Sequence, residues 1–369
     1  MITAFEYGKK AADAIMSQFR PTQLYAAELF AYYDGVFLTG LERIYEKTGE
    51  RKYFDYIKEW VDSNIRPDGC LRETGGWASL LSLDFRRAGT LMFKLYEETG
   101  DERYWKNIEY LVESLKYYRK NEYGGFWHGW TSQQQMWLDG LYMAGPICAM
   151  YAAKTNKKEF YDIAVLQAEI MWDHARSEET GLLYHGWDCS GEAEWADPET
   201  GLSQEVWGRA LGWYAVAICD ILDYLPSWHP KRGRLIEMIN TLLKTAVRYQ
   251  DPVDGRWYEV IDKGDQPGNW HETSCSCLLV YALAKALRKG YLEPEYGVYA
   301  RKGYEGIIAN LKYDEDGRLL LTDICVGTAI NSGTYEYYIA RERCTNDLHG
   351  SGTFIQMCCQ MDLWENGEF

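Results

Sequence analysis

Apolar residues recur along the chain three or four positions apart, which is the spacing of one face of an α-helix. This periodicity predicts twelve helices, over residues 5–19, 24–48, 51–65, 83–99, 101–119, 133–155, 157–175, 203–225, 231–250, 271–289, 295–312 and 347–363. Strand patterns are confined to the connections, for example over residues 335–339. The pattern therefore predicts an all-α protein.

A repeated helix end supports this number of segments. Thr48-Gly49, Thr99-Gly100 and Thr155-Asn156 each close one predicted helix shortly before the next begins. Gly and Asn are the residues that suit the left-handed cap at a helix C-terminus. Because these ends recur about every fifty residues, the length of a two-helix repeat, the chain is predicted to be an array of helical hairpins.

The connections between the predicted helices alternate between short and long. The long ones cover residues 66–82, 120–132, 176–202, 251–270 and 313–346. In an up-down array they all fall at one end, and six hairpins can close into an (α/α)6 barrel, here a single domain over residues 1–369. An open helical solenoid is the alternative, but its repeats would be more uniform in length. The long-loop end is the expected working face.

Composition limits the classes of molecule that the protein is expected to bind. The formal net charge is −16, which disfavours binding to nucleic acid or to an anionic membrane. The chain contains 15 Trp and 30 Tyr, more than packing usually requires, and flat aromatic faces stack well on sugar rings. An oligosaccharide is therefore the first ligand to consider, although many of these rings must serve the core.

The N-terminal residues lack the basic start and apolar run of a secretory signal, and ten cysteines are scattered without a C-x-x-C pair. We therefore expect a cytoplasmic protein with free thiols. His128 and His185 have no i, i+4 partner, which argues against a zinc site, and no glycine-rich phosphate-binding loop occurs at a strand-to-helix turn. Neither a metal nor another cofactor is therefore predicted. The sequence leaves open a monomer or a small homo-oligomer.

One carboxylate lies in an apolar, aromatic run. Asp139 follows Trp137-Leu138 and is predicted to lie about two turns into the sixth helix. Burial among such side chains favours the neutral, proton-bearing form of an acid, which is the form that protonates a weak base. The alternative is that Asp139 caps or hydrogen-bonds within the helical array.

Other unusual residues map to the same end of the array. They are Asp84 before the fourth helix, His128 and His185 in long loops, Trp207, Arg209 and Trp213 in the eighth helix, Asn269, His271 and Glu272 at the tenth, and Asn346, Asp347 and His349 at the twelfth. Scatter would place about half of them at the other end. Asp84 and Asp347 could instead be helix caps. Arg209 is predicted either to hold a ligand carboxylate in its fork or to form a buried ion pair.

Six motifs, in order from about residue 24 to the C-terminus, resemble glycoside hydrolase family 105, the unsaturated rhamnogalacturonyl hydrolases. They are Ser82-Leu83-Asp84, Gly125-Phe126-Trp127-His128, Gln135-Met136-Trp137-Leu138-Asp139, His185-Gly186-Trp187-Asp188, Trp207-Gly208-Arg209-Ala210-Leu211-Gly212-Trp213-Tyr214 and Asn346-Asp347-Leu348-His349-Gly350. The related family 88 unsaturated glucuronyl hydrolases share the fold. The loop over residues 251–270 matches poorly, which leaves the aglycone open.

The resemblance implies an (α/α)6 barrel and a substrate whose non-reducing uronic acid carries a C4=C5 double bond. Asp139 would protonate C4, and Asp139 or Asp84 would direct water to C5, after which the hemiketal opens and releases the aglycone. By position, the unsaturated sugar would be contacted by Tyr32, His128, Trp137, His185, Trp207, Arg209 and Trp213.

Three other functions remain open at the level of the sequence. Asp84 and Asp139 could act as base and acid of an ordinary inverting glycosidase. His128 and His185 could serve a sugar epimerase on the same barrel. A carbohydrate-binding protein without catalytic activity is the third.

Overall fold

The computed structural model describes residues 2–24, 30–72 and 81–368. Parts of the predicted second helix and of the connection 66–82 lie outside these residues. The long helices are α1 (Ala4–Met16), α2 (Tyr32–Thr48), α3 (Arg51–Ser63), α4 (Leu91–Thr99), α5 (Glu102–Glu113), α6 (Leu138–Thr155), α7 (Glu159–His174), α8 (Gly208–Tyr224), α9 (Arg232–Ala246), α10 (Thr273–Arg288), α11 (Gly297–Ala309) and α13 (Leu348–Glu365). A short α12 (Tyr335–Ile339) precedes the last.

Two concentric sets of helices form the barrel. Neighbouring inner helices follow one another round the ring in the order α2, α4, α6, α8, α10 and α13, and α13 packs back onto α2. Between α4 and α6 the contact is made by the 3₁₀ turn Arg87–Thr90, which leads directly into α4. The outer helices α3, α5, α7, α9 and α11 each cover the inner helix that precedes them in the chain, and α1 covers α13. The ring is therefore closed, which confirms the (α/α)6 barrel and excludes the open solenoid.

Sequence patterns account for the two layers. Every residue of α8 from Gly208 to Leu222 is buried, as expected for a helix that is apolar all round. By contrast, the outer helices α3 and α5 each have one buried face and one exposed face. Closure of the ring depends on Gly352, because a Cβ there would lie 2.6 Å from the backbone of Val36 and Phe37 in α2.

The predicted helix ends are confirmed. Gly49, Gly100 and Asn156 each adopt the left-handed conformation directly after α2, α4 and α6. Each inner helix is joined to the next outer helix by a short connection at this end. The long connections all return to the other end, so the N-termini of the inner helices point towards the predicted working face.

Within residues 2–24, 30–72 and 81–368, three two-stranded antiparallel ribbons lie in the long connections. They pair β1 (Gln135–Trp137) with β2 (Gly186–Asp188), β3 (Lys312–Tyr313) with β4 (Leu319–Leu320), and β5 (Ile324–Cys325) with β6 (Arg343–Cys344). Two predictions were wrong here. Residues 335–339 form α12 rather than a strand, and the run before Asp139 is strand β1 rather than helix.

Candidate active site

Strand pairing brings Trp137 and His185 together. In the β1–β2 ribbon Trp137 lies opposite Gly186, the residue after His185. The backbone N–H of Leu138 then donates to the carbonyl of His185 over 3.0 Å. The ribbon therefore ends at the first turn of α6, where Asp139 is the second residue.

A second backbone contact brings Asp84 to the same place. The N–H of Leu83 donates to the carbonyl of His128 over 3.0 Å, and the N–H of His128 donates to the carbonyl of Gln135 over 2.9 Å. Ser82 is the cap of the short 3₁₀ turn here, since its hydroxyl accepts from the N–H of Asp84. The carboxylate of Asp84 is thus left free to face His128.

These side chains meet in a cavity of about 190 Å³ at the long-loop end. Pockets for drug-sized ligands are larger, roughly 300–1,000 Å³, so this cavity suits a single sugar ring. Its walls are Tyr32, Tyr33, Asp84, His128, Trp137, Asp139 and the loop Gly327–Ala329. The structure therefore brings five of the nine predicted site residues to one cavity. The His128 ring stacks on Trp137 with ring centroids 4.2 Å apart.

Asp139 and His185 form the more deeply buried pair. The Asp139 side chain is 10% exposed and that of His185 is 0% exposed, with Oδ2 and Nε2 3.2 Å apart. Neither atom is aligned as a hydrogen bond to a described residue, and unsatisfied buried polar atoms of this kind are common at functional sites. His185 is thus placed to act on Asp139 from behind the cavity.

The prediction that burial keeps Asp139 protonated was wrong. Burial raises the pKa of Asp139, but the approach of His185, the charge of His128 and the backbone amide of its own residue outweigh this, so the pKa lies below its ordinary value. The strand before α6 explains the error. It places Asp139 in the first turn, where a helix favours negative charge, rather than two turns inside.

Tyr338 completes this group. Its hydroxyl lies 2.7 Å from Nδ1 of His185, and burial raises the pKa of Tyr338 well above its ordinary value, so the phenol keeps its proton. Burial also lowers the pKa of His185, which favours the neutral ring. With Asp139 ionised, Nε2 of His185 carries the proton and Nδ1 accepts one from Tyr338.

Asp84 and His128 form a more exposed pair. Their side chains are 28% and 7% exposed, and Oδ1 lies 3.3 Å from Nε2. Burial lowers the pKa of His128, but the carboxylates of Asp84 and Asp139 more than compensate, so this pKa lies above its ordinary value. These carboxylates therefore favour the protonated, positively charged form of His128 at the cavity wall.

The guanidinium of Arg209 is not free to bind a ligand carboxylate. One Nη group donates to the carbonyl of Cys325, and the other donates to the carbonyl of Val326 over 2.8 Å. The side chain is fully buried, with its guanidinium 4.7 Å from the Trp207 ring. Arg209 therefore supports the loop whose residues Gly327–Ala329 line the cavity. In this structure its guanidinium holds backbone carbonyls of that loop rather than an anion in the cavity.

The two predicted tryptophans of α8 lie behind the cavity. Trp207 is buried against His185, with ring centroids 4.6 Å apart, and its Nε1 donates to Glu259 over 2.8 Å. Trp213 is fully buried and stacks on Tyr142 at 4.3 Å. Both are placed to support the site from the core rather than to stack on a ligand.

Tyr32 begins α2 and lines the same cavity. Its hydroxyl lies 2.9 Å from Nε2 of His349, whose Nδ1 contacts Asp347. Asp347 is also the cap of α13, accepting from the N–H of His349 over 2.9 Å. The residues predicted at the start of the tenth helix have structural partners: Asn269 donates to the carbonyls of Val260 and Lys263, His271 lies 3.0 Å from the Asp251 carboxylate, and Glu272 caps α10.

Two features of the site were missed from the sequence. Tyr338 lies in a segment whose aromatic pattern is typical of a strand, and the loop Gly327–Ala329 has no motif. The side-chain chemistry of Tyr338 was the available signal, but nothing local links it to His185. Among residues 2–24, 30–72 and 81–368, no group of three or more His, Cys, Asp or Glu side chains is arranged to hold a metal ion. No helix within those ranges has the length and apolar character needed to cross a membrane.

Comparison with known proteins decides the family. The profile of Glycosyl Hydrolase Family 88 matches residues 7–363. The chain belongs to Glycosyl Hydrolase Family 88. A solved structure of a family 105 glycoside hydrolase from C. acetobutylicum ATCC 824 is 32% identical, with a TM-score of 0.91, over 96% of this chain and 99% of that one. The resemblance drawn from the six motifs is thus confirmed.

Two further relatives extend this picture. The unsaturated rhamnogalacturonyl hydrolase YesR of Bacillus subtilis (strain 168) is 26% identical over 310 residues, covering 82% of this chain and 81% of its own. The unsaturated glucuronyl hydrolase of Bacillus sp. GL1 is 15% identical with a TM-score of 0.71, over 96% and 95% of the two chains, and shares the fold. This family 88 member is a glycoside hydrolase, which decides against the epimerase and the binding protein without catalytic activity.

Proposed function

We propose that this enzyme releases the unsaturated uronic acid from the non-reducing end of lyase-generated rhamnogalacturonan oligosaccharides by hydrating its C4=C5 double bond. The observation that carries the proposal is the cavity in which Asp139 and Asp84, each beside a histidine, meet the ring of Trp137. The rhamnogalacturonan substrate is supported by the similarity to YesR.

Asp139 is the proton donor in this proposal. It transfers a proton to C4, and the positive charge that develops at C5 is shared with the ring oxygen. Water then adds to C5 and returns a proton to the Asp139 carboxylate. The resulting hemiketal opens to a ketone at C5 and a hemiacetal at C1. The hemiacetal collapses to an aldehyde as the C1–O bond breaks, and its hydroxyl proton leaves with the aglycone sugar. An alkene carbon is a weak base, so this step needs a well-placed acid.

Because the pKa of Asp139 lies below its ordinary value, substrate binding must raise this pKa for Asp139 to hold the proton. The uronic acid carries its own carboxylate, and a like charge beside Asp139 raises its pKa. A sugar ring in the cavity also displaces water, which acts in the same direction. His128 partly balances the added charge, because the charges of both carboxylates raise its pKa.

Asp84 is assigned to the water. Its side chain is more exposed than that of Asp139 and faces the same cavity. A carboxylate in that position can orient a nucleophilic water without having to be protonated itself. Trp137 provides the flat face against which the sugar packs.

Ultraviolet absorbance of the conjugated enoate tests this function. We expect the absorbance of lyase-digested rhamnogalacturonan fragments to disappear, and that of glycosaminoglycan fragments to persist. Loss with the glycosaminoglycan fragments alone would instead identify an unsaturated glucuronyl hydrolase. Loss with neither substrate would contradict the proposal.

We also propose that residues 1–369 act as one domain in the cytoplasm, as a monomer or a small homo-oligomer. Closure of the ring by α13 on α1 and α2 supports the single domain. All ten cysteines are unpaired, which supports a reducing compartment. Cell fractionation and light scattering test these statements.

A further inference from the structure

A buried histidine connects the cavity to a helix cap on its far side. His349, in the first turn of α13, is 3% exposed and lies between Asp347 and Tyr32. Its Nδ1 contacts the Asp347 carboxylate, and its Nε2 lies 2.9 Å from the Tyr32 hydroxyl. Tyr32 in turn lines the cavity. None of the catalytic steps above uses Asp347 or His349.

The direction of each hydrogen bond follows from the protonation states. Burial raises the pKa of Asp347, but His349 outweighs this and lowers it to about 2, so the carboxylate only accepts. Nδ1 of His349 must then carry a proton. Burial and the nearby Arg209 guanidinium lower the pKa of His349, which keeps the ring neutral and leaves a lone pair on Nε2.

Among the residues that the structure describes, the Tyr32 hydroxyl is placed to donate to that lone pair, 2.9 Å from Nε2. Burial and the charge of Asp84 raise the pKa of Tyr32 well above its ordinary value, so the phenol keeps the proton that it donates. The lone pairs of its oxygen are then left for the cavity. A phenol free to rotate could present either its proton or its lone pairs, and this one is fixed.

We propose that Asp347 and His349 are positioning residues that hold the Tyr32 hydroxyl with its proton towards His349, so that Tyr32 meets the substrate only as a hydrogen-bond acceptor. The group that it accepts from is a ring hydroxyl of the uronic acid. This assignment of a ligand rests on the proposed function, whereas the direction of the Tyr32 hydroxyl does not.

The direction is tested first by NMR of protein labelled with ¹⁵N-histidine, without substrate. The His349 signals are those that vanish in His349→Gln or, should that variant not fold, those that shift in Tyr32→Phe. We expect the neutral tautomer with the proton on Nδ1. A proton on Nε2, or on both nitrogens at neutral pH, would overturn the proposal whatever the enzyme's substrate is.

The positioning role is tested by a double-mutant cycle on kcat/KM. Tyr32→Phe is expected to lower kcat/KM by about tenfold, as loss of one substrate hydrogen bond does. Asp347→Asn should add little to Tyr32→Phe, because it acts through the same hydroxyl; independent, multiplying losses would overturn the positioning role. Asp101→Asn is the matched control, since Asp101 caps α5 without any route to the cavity and should leave kcat/KM unchanged.

If no enoate is hydrolysed at all, the proposed function fails, while the NMR result still decides the direction of the Tyr32 hydroxyl. The two failures are therefore distinguishable.

Discussion

Two groups of the same three residue types face this cavity in opposite directions. In Asp139–His185–Tyr338 the carboxylate lines the cavity and the phenol is buried behind it. In Tyr32–His349–Asp347 the phenol lines the cavity and the carboxylate is at the far end. In both groups a neutral histidine joins the phenol to the carboxylate. The first group presents an acid/base carboxylate to the cavity, and the second presents a phenol oxygen held as a hydrogen-bond acceptor. The order of the residues relative to the cavity, not their identity, assigns their roles.

The largest expected effect comes from removing the carboxylate of the first group. Asp139→Asn should stay folded and bind substrate while kcat falls on the order of 10³-fold, because a neutral amide cannot supply the proton. Enoate absorbance gives kcat, and equilibrium binding checks the complex. Turnover within about tenfold of the original enzyme, or about 1.4 kcal/mol of barrier, would remove Asp139 as the donor.

The second carboxylate at the cavity should matter less. Asp84→Asn is expected to lower kcat by about 10²-fold, since it orients water but does not transfer the proton to C4. Parallel measurement of both variants under the same conditions checks the order. A loss at Asp84 larger than that at Asp139 would reverse the two roles.

The pH dependence tests the influence of His185. Asp139 must be protonated to act, so kcat/KM falls as pH rises through the pKa of Asp139 in the free enzyme. His185 lowers that pKa, and His185→Phe should therefore move the falling limb to higher pH. A limb that stays in place, or moves to lower pH, would contradict the pairing. The kcat limb of the original enzyme should also lie at higher pH than its kcat/KM limb, because bound substrate raises the pKa of Asp139.

The smallest effect is expected at the far end of the first group. Tyr338→Phe removes only the hydrogen bond to Nδ1 of His185, so kcat/KM should fall roughly two- to tenfold. Tyr338→Phe also leaves the imidazole next to Asp139, so it is the control for His185→Phe. The falling limb of kcat/KM should shift less in Tyr338→Phe than in His185→Phe. An equal shift in both variants would place the effect outside the His185–Asp139 contact.

The barrel could be predicted from the sequence because each helix carries its own periodicity and cap, and because long connections alternate with short ones. The placement of Asp139, Asp84 and His128 at one end of the barrel followed from the same alternation, whereas Tyr32 and Trp137 were assigned to the site by the family resemblance. These are properties of local sequence, and they survive folding.

What could not be predicted depends on partners distant in the chain. Arg209 donates to backbone carbonyls that lie 116 and 117 residues further along the chain. Nothing in the sequence near Arg209 therefore argued against the prediction that it binds a ligand carboxylate. Gln135–Trp137 became a strand because β2 pairs with it, and that strand moved Asp139 to the start of α6. The proton affinity of Asp139 follows from this shift and from His185.

The central claim is that the attacked bond is the C4=C5 double bond and that water adds at C5. Hydrolysis of the unsaturated rhamnogalacturonan disaccharide in ¹⁸O-labelled water, followed by mass spectrometry of both sugars, tests it most directly. We expect the label at C5 of the released uronic acid. Label at the anomeric carbon would instead show an ordinary inverting glycosidase and contradict addition of water at C5.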